Sequence, residues 1–501
     1  MRLLLLVVCL AVPPAGLATV SRAVADTPAA VPSAPAAEAP APAAPRLPGP
    51  SVTRHELVLP DRTLAFEATA SAITITAPGG REEADLAFVA YTIDGEEHGR
   101  RPVTFLVNGG PGAASAYLQI GAVGPWLLPL GGDRIVPSQP PDLLPNPDTW
   151  LDFTDLVFID PVGTGFSRLV DPDDRTRSRY LSVDGDAKVL AEAISRWLVD
   201  NDRVGSPKYF VGESYGGFRA PIVAQHLRDD HGLALSGLTL VSPVLDFGWW
   251  QQPDYAPLPM VTLLPSLAAV HMDAEGTFSE EALRAAEDYA AGDFLADLLR
   301  GVHDRAAVER LVDRVSALTG LDRAAVARED GRIDAGEFAR ESRRDEHLRT
   351  SVYDATVTAS GRDRGSDPVL DAMTAPLTSA MLGLYRDTLD WLPNRDYQLL
   401  NADVTRGWDW GSHRGQPEAV TDLADLLSLD PALRVLVTHG RTDLVTPYFG
   451  TELILRQLDV SGSGDRLRQV TYPGGHMFYT RSDSRRAFRA DARALYVGQS
   501  G

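Results

Sequence analysis

Cysteine is almost absent from this sequence of 501 residues, which contains only Cys9. Because Cys9 lies in the apolar segment at the start of the chain, removal of that segment would leave no thiol and no disulfide. Apolar residues make up 44% of the sequence, which at this length is enough for one large core with an insertion, or for two domains. We therefore expect stability to come from the packed core.

Runs of lysine or arginine are also missing, and the net charge is −21. This acidity argues against nucleic-acid binding and is typical of a well-hydrated surface. After the first segment, no other apolar stretch is long enough to span a bilayer. No cofactor motif or metal-ligand cluster emerges, so we expect neither a cofactor nor a metal.

The first 25 residues resemble a secretory signal peptide. Arg2 gives a positive start, residues 3–12 are apolar, and Ala23-Val24-Ala25 forms a cleavage site. A membrane anchor is the alternative, but the prolines at 13 and 14 cut the apolar stretch short. Residues 26–50 are rich in alanine and proline and predict a disordered spacer. We therefore expect export to the extracellular space or the periplasm.

The remaining sequence predicts a mostly parallel sheet with helices on both faces. Three strand-like runs separated by turns, 55–59, 63–76 and 86–92, predict an antiparallel meander. Short apolar strands then alternate with helical segments such as 184–201, which favours a parallel sheet covered on both faces. These predicted strands are 103–107, 156–159, 209–211, 238–241, 433–437 and 470–472.

A charged, helical segment with few strand signals interrupts this alternation at about residues 247–400. An insertion between two sheet strands lies above their carboxyl ends, where open α/β sheets bind ligands. We interpret it as a helical cap over an active site, with a decorative surface insertion as the alternative. The two parts of the core domain would then be residues 51–246 and 401–501.

The motif Gly212-Glu213-Ser214-Tyr215-Gly216 carries the strongest chemical signal. It has the form G-x-S-x-G and follows an apolar run, a pattern that places a serine on a strained turn between strand and helix. A serine hydroxyl needs a base to become a nucleophile. His476 follows a predicted strand and two glycines, and Asp443 follows the strand before it, so we expect His476 as the base and Asp443 as its orienting acid.

The order Ser214, Asp443, His476 is that of α/β-hydrolases. A second glycine-rich turn, Asn108-Gly109-Gly110-Pro111-Gly112, also follows a predicted strand. Backbone N–H groups exposed there stabilise negative charge on a reacting carbonyl oxygen. We expect the donors to be Gly110 and Tyr215. A phosphate-binding loop is the alternative, but neither the P-loop lysine nor Rossmann spacing follows.

These motifs together resemble the serine carboxypeptidase family of α/β-hydrolases, in a bacterial-type secreted member. Order and context match over roughly residues 100–250 and 430–495. The resemblance implies peptide substrates that lose residues from their C-termini, with the substrate carboxylate held near Asn108, Gly109 and a protonated Glu213. The resemblance is also compatible with a homodimer. The matching stretches are 107–115, 146–150, 158–167, 212–217 and the loops of Asp443 and His476.

One position departs from this family pattern. Family members usually carry a second glutamate beside the one preceding the serine, and the matching residue here is Ala122. This change weakens the implied carboxylate recognition and predicts a pH optimum nearer neutrality than in relatives. Arg168 is a candidate for supplying the missing interaction. An esterase or acyltransferase with the same triad stays open, as does a catalytically inactive binding or scaffold protein.

Overall fold

The computed structural model describes residues 46–95, 99–130, 138, 142–363, 365–411, 415–458 and 466–497. The predicted signal peptide lies outside these residues, as does most of the predicted spacer. The spacer's last five residues are described and contact the folded protein. Arg46 donates to Asp85 from two nitrogens, both at 2.7 Å, and the carbonyl of Gly49 accepts from Trp391 at 2.9 Å. The predicted boundary at residue 50 is therefore too late.

A ten-stranded sheet forms the centre of the protein. The first three strands make the antiparallel meander that the sequence predicts, and the third also pairs antiparallel with Asp155–Ile159. The remaining pairs of longer strands are parallel. The nine longer strands are β1 (Ser51–Val58), β2 (Thr63–Thr76), β3 (Glu82–Ile93), β4 (Val103–Val107), β5 (Asp155–Ile159), β6 (Lys208–Glu213), β7 (Gly237–Val241), β8 (Arg434–Gly440) and β9 (Leu467–Tyr472). Their spatial order is β1-β2-β3-β5-β4-β6-β7-β8-β9, with the short strand Arg168–Leu169 paired to β3.

Both faces of the sheet are covered, as the continuous apolar runs of the central strands require. Side chains alternate between two cores, so that Phe105 packs on one face and its neighbour Leu106 on the other. The longer helices are α1 (Val183–Asp200), α2 (Tyr215–His231), α3 (Leu258–Glu275), α4 (Arg305–Thr319), α5 (Pro368–Gly383) and α6 (Ser482–Val497). Shorter ones are Ala116–Leu118, Asp174–Tyr180, Glu280–Tyr289, Leu295–Arg300, Arg323–Arg328, Ala335–Glu341, Ala402–Arg406, Val420–Leu429 and Tyr448–Leu455.

The chain between β7 and β8 contains two parts that pack differently. Residues 258–346, here called the helical insertion, form a separate apolar core with Val352, Ala355 and residues of the loop and helix after β8. Helix α5 packs instead in one of the two cores of the sheet. Between them lies a small antiparallel pair, Leu348–Thr350 with Thr358–Ser360, which the sequence did not predict because three-residue strands carry no alternating pattern.

The architecture positions a site at one edge of the sheet. The parallel strands β4, β6, β7, β8 and β9 run in the same direction, so their carboxyl ends lie at the same edge. The asparagine-glycine turn follows β4, the G-x-S-x-G turn ends β6, and the loops of the predicted acid and base follow β8 and β9. Within the described segments, no helix combines the length and hydropathy that a bilayer crossing needs.

Candidate active site

Ser214 is the single residue between strand β6 and helix α2. Its backbone has φ 58° and ψ −122°, a strained combination for a residue with a side chain. Its N–H donates to the carbonyl of Val241 at 2.8 Å, which holds the turn in place. A Cβ on Gly212 would lie 2.0 Å from the carbonyl oxygen of Gly216, so this turn accepts no side chain there. The local geometry is therefore the strained strand-to-helix turn that the motif predicts.

Asp443 and His476 lie in contact although they follow different strands. Nδ1 of His476 and Oδ2 of Asp443 are 2.7 Å apart, and both residues are almost fully buried. The backbone N–H groups of Val445 and Thr446 donate to the other oxygen of Asp443 at 2.8 and 3.0 Å. The Thr446 hydroxyl donates to Oδ2 at 2.6 Å. These donors fix the carboxylate so that it faces the imidazole.

The charges of this pair stabilise each other. Burial favours the neutral form of Asp443, but His476 and the donors from Thr446 outweigh burial, so the pKa of Asp443 falls below its ordinary value. Burial also favours neutral His476, but the charge and hydrogen bond of Asp443 raise its pKa above 6.5. An imidazole in this setting accepts a proton readily and is stabilised once it carries it.

Ser214 and His476 line the same cavity, which has a volume of about 170 Å³. Asn108, Gly110 and Glu213 line it too, so the structure brings most of the predicted site residues together. Among the described residues that line it, none is lysine or arginine. The larger apolar side chains on its wall are Tyr117, Tyr353, Leu370, Leu400 and Met477.

The predicted oxyanion donors are available as backbone groups. Neither Gly110 nor Tyr215 donates its N–H to an acceptor in a described loop or turn. Gly109 lies directly against the serine turn, since a Cβ there would be 2.5 Å from the backbone nitrogen of Tyr215. Tyr215 opens the 17-residue helix α2, whose N-terminus favours negative charge. Its side chain is buried and stacks on Phe218, and unlike Gly110 it is not among the residues that line the cavity.

Glu213 is buried at the cavity wall with two donors on one of its oxygens. Oε2 accepts from Nδ2 of Asn108 at 2.8 Å and from the hydroxyl of Tyr479 at 2.7 Å. Burial raises the pKa of Glu213 to about 7, although these hydrogen bonds and the nearby His476 act in the opposite direction. The carboxyl is therefore able to carry a proton in mildly acidic solution.

Ala122 is fully buried, and its methyl group gives Glu213 no carboxyl partner. The ring of Tyr479 packs beside the neighbouring Gly121, where a Cβ would lie 3.5 Å from the ring. Arg168 does not supply the missing interaction, so that hypothesis is wrong. Its guanidinium donates to four backbone carbonyls, including that of Asp396 at 2.8 Å, and the residue is absent from the cavity wall.

Residues 351–356, here called the strap, bind the loops of both Asp443 and His476. The carbonyl of Tyr353 accepts from the N–H of His476 at 2.6 Å, and the two rings meet edge to face. Asp354 accepts from the hydroxyl of Thr442 and from Arg481, both at 2.9 Å. Sequence reasoning missed both Tyr353 and Tyr479. No motif surrounds Tyr353, so nothing in the sequence marks it. Tyr479 lies three residues after His476, and this position was the one signal that could have identified it as a residue of the site.

This arrangement defines the class of protein. A mostly parallel sheet with flanking helices, a serine on a strand-to-helix turn, and an acid and a histidine on later strand ends are the features of an α/β-hydrolase. A solved structure supports the same fold: the prohormone-processing carboxypeptidase of Saccharomyces cerevisiae has a TM-score of 0.53 at 15% identity, over 86% of this chain and 92% of that one. The predicted fold class is confirmed.

The serine carboxypeptidase family is the particular group that the chain matches. The serine carboxypeptidase family model matches residues 79–248, which confirms the resemblance predicted from the motifs. Serine carboxypeptidase-like 9 of Arabidopsis thaliana is 26% identical over 172 residues, or 32% of this chain and 38% of that protein. Pheromone-processing carboxypeptidase KEX1 of Fusarium vanettenii is 25% identical over 373 residues, or 71% of this chain and 51% of that protein.

The chain thus spans about half or less of the length of these curated relatives. Both come from eukaryotes, a plant and a fungus, so they do not support the expectation of a bacterial-type member.

Proposed function

We propose that this protein is a secreted serine carboxypeptidase that removes C-terminal residues from peptides through an acyl-enzyme on Ser214. The observation that carries the proposal is the buried, hydrogen-bonded pair of His476 and Asp443 at the cavity that Ser214 also lines. The family match and the fold agree with this activity. The apolar wall of the cavity favours substrates with apolar side chains next to the cleaved bond.

In the proposed reaction the hydroxyl oxygen of Ser214 attacks the scissile carbonyl carbon. His476 takes the hydroxyl proton on Nε2 and delivers it to the leaving amine, while its Nδ1–H stays bonded to Asp443. The backbone N–H groups of Gly110 and Tyr215 stabilise the oxyanion. Water, activated by the same imidazole, then releases the acyl group from Ser214 and restores the hydroxyl. No cofactor is needed for these steps.

Replacement of Ser214 tests the assignment. Ser214→Ala removes the nucleophile and should lower kcat/KM on blocked dipeptides by at least about 10⁴-fold, with labelling by a fluorophosphonate abolished. Ser316→Ala is the control, because its hydroxyl bonds to the carbonyl of Leu321 in the helical insertion, far along the chain from the motifs. Full activity of the Ser214 variant would contradict the proposal.

An esterase or acyltransferase is the second candidate, and the buried methyl of Ala122 favours it, since among the described residues no carboxyl group is hydrogen-bonded to Glu213. The deciding comparison is between an N-blocked dipeptide with a free C-terminus and its C-terminal amide. A carboxypeptidase prefers the free acid. Equal rates at every pH, with rapid cleavage of esters, would favour the second candidate. Export is tested by sequencing the N-terminus of the protein recovered outside the cytoplasm, where we expect it to start at Asp26.

A further inference from the structure

The hydrogen bonds on Glu213 distinguish its two oxygens. Asn108 acts as a donor through Nδ2, because its Oδ1 accepts the backbone N–H of Leu118 at 3.0 Å and so fixes the amide orientation. The oxygen facing Nδ2, Oε2, must therefore act as an acceptor. The Tyr479 hydroxyl lies 2.7 Å from the same oxygen and adds a second donor.

A carboxyl group held in this way has one defined place for its proton. Oε2 is occupied by two donors, so the proton of neutral Glu213 belongs on Oε1. None of the described residues makes a hydrogen bond to Oε1, and Glu213 lines the cavity. Neutral Glu213 thus has a free O–H donor, whereas ionised Glu213 presents only negative charge.

We propose that Tyr479 is a positioning residue for substrate recognition: with Asn108 it fixes one oxygen of Glu213 as an acceptor, so that the other directs its proton to the terminal carboxylate of a peptide. The inference rests on the proposed function and adds a residue to it. Tyr479 acts through Glu213, and it contributes neither to the nucleophile nor to the base.

This role predicts that loss of the Tyr479 hydroxyl changes the pKa of Glu213 in a defined direction. The donor from Tyr479 stabilises ionised Glu213 and lowers its pKa relative to the same group without it, while burial raises that pKa to about 7 overall. The other titratable groups acting on Glu213 are His476, whose positive charge lowers its pKa, and Asp443, whose negative charge raises it. Tyr117, also on the cavity wall, is neutral at these pH values because burial raises its pKa far above neutrality.

The measured quantity is the ratio of kcat/KM for an N-blocked dipeptide acid to kcat/KM for its amide, between pH 5 and 9. Titration of His476 affects both substrates and cancels in the ratio. In the unmodified protein we expect preference for the acid at low pH, falling about tenfold per pH unit once Glu213 ionises near pH 7. In Tyr479→Phe the fall should move to higher pH by about one unit, since the charged form loses a donor.

Tyr472→Phe is the matched control. Its hydroxyl also bonds to a carboxylate at 2.7 Å, that of Asp491, and the residue does not line the cavity. We expect no shift of the ratio in this variant. Glu213→Gln gives a second, independent test: its amide oxygen satisfies Asn108 and Tyr479 while its NH₂ donates at every pH, so preference for the acid should no longer fall with pH.

The outcomes separate this inference from the proposed function. Two results for Tyr479→Phe would overturn the inference alone. In the first, the preference for the acid falls at the same pH in Tyr479→Phe as in the unmodified protein. In the second, Tyr479→Phe lowers kcat/KM equally for the acid and the amide and leaves the pH dependence of their ratio unchanged. A Glu213→Gln variant whose preference still falls near pH 7 would do the same. No preference for the acid at any pH in the unmodified protein would overturn the proposed carboxypeptidase activity, and the inference with it.

Discussion

The strand ends of the sheet and the helical insertion differ in how tightly their backbones are packed. At the strand ends, a Cβ added to Gly109 would lie 2.5 Å from the backbone nitrogen of Tyr215. A Cβ added to Gly475 would lie 2.0 Å from the carbonyl oxygen of Tyr353. In the helical insertion, Gly276, Gly292 and Gly301 have no atom within 4 Å of such a Cβ, and the nearest atoms at Gly320 and Gly331 belong to side chains. Backbone-to-backbone contact holds the site rigidly, whereas the insertion is a bundle of helices packed through side chains.

The strap connects these two regions. It follows the helical insertion in the chain and binds the loops that carry Asp443 and His476. None of the described residues of the helical insertion lines the cavity, but Tyr353 does. Damage to the strap should therefore affect catalysis, whereas damage within the helical insertion should affect mainly stability. Three predictions test this difference, in order of decreasing effect on activity.

The largest effect is expected from Gly475→Ala. The added Cβ would lie 2.0 Å from the carbonyl oxygen of Tyr353 and 2.4 Å from Cβ of Asp354, so the loop before His476 must move. A shift of the imidazole by about 1 Å should lower kcat about 100-fold. Gly292→Ala, which meets open space, is the control and should keep full activity. Kinetics on a blocked dipeptide measure both, and equal activities would contradict a rigid contact between strap and loop.

A smaller effect is expected from Asp354→Ala. This change removes the acceptor for Thr442 and Arg481, and so weakens the attachment of the strap to both loops. We expect kcat to fall about tenfold and the free energy of unfolding to fall by about 1–2 kcal/mol. Asp297→Ala is the matched control, because it removes a carboxylate that binds Arg310 within the helical insertion. If both variants lose activity equally, the strap has no special role.

The smallest effect on activity is expected from Leu311→Ala. Leu311 is 2% exposed in the core of the helical insertion, and its truncation leaves a cavity that should cost about 2–4 kcal/mol in the free energy of unfolding. Because the cavity of the active site is lined by other residues, kcat should change less than about threefold at temperatures where the protein stays folded. Chemical denaturation and kinetics check the two parts separately. A large fall in kcat would show that the insertion supports the site.

The strands, helices and turns that the sequence predicted most accurately are those set by residues close together in the chain. The strand at 103–107 has the predicted bounds, and helix α1 lies within one residue of its prediction at each end. The turn at Ser214 follows from two glycines and a preceding apolar strand. The sequence-based prediction was less accurate between β7 and β8. There the predicted cap of 247–400 divides into the helical insertion, the strap and helix α5, which packs in a core of the sheet. Amphipathic patterns identify helices without specifying which core each one joins.

The amino-acid sequence by itself determined the class of fold, the resemblance to serine carboxypeptidases and the residues that we propose for the triad, because the motifs combine glycines, a strand end and a reactive side chain within a few positions. Only the tertiary structure decided which distant groups meet. It placed Asp443 against His476, the ring of Tyr353 edge to face with the imidazole, and the Tyr479 hydroxyl on one oxygen of Glu213. The physical reason is that a hydrogen bond depends on positions in space within a few tenths of an ångström, which the packing of the whole chain determines.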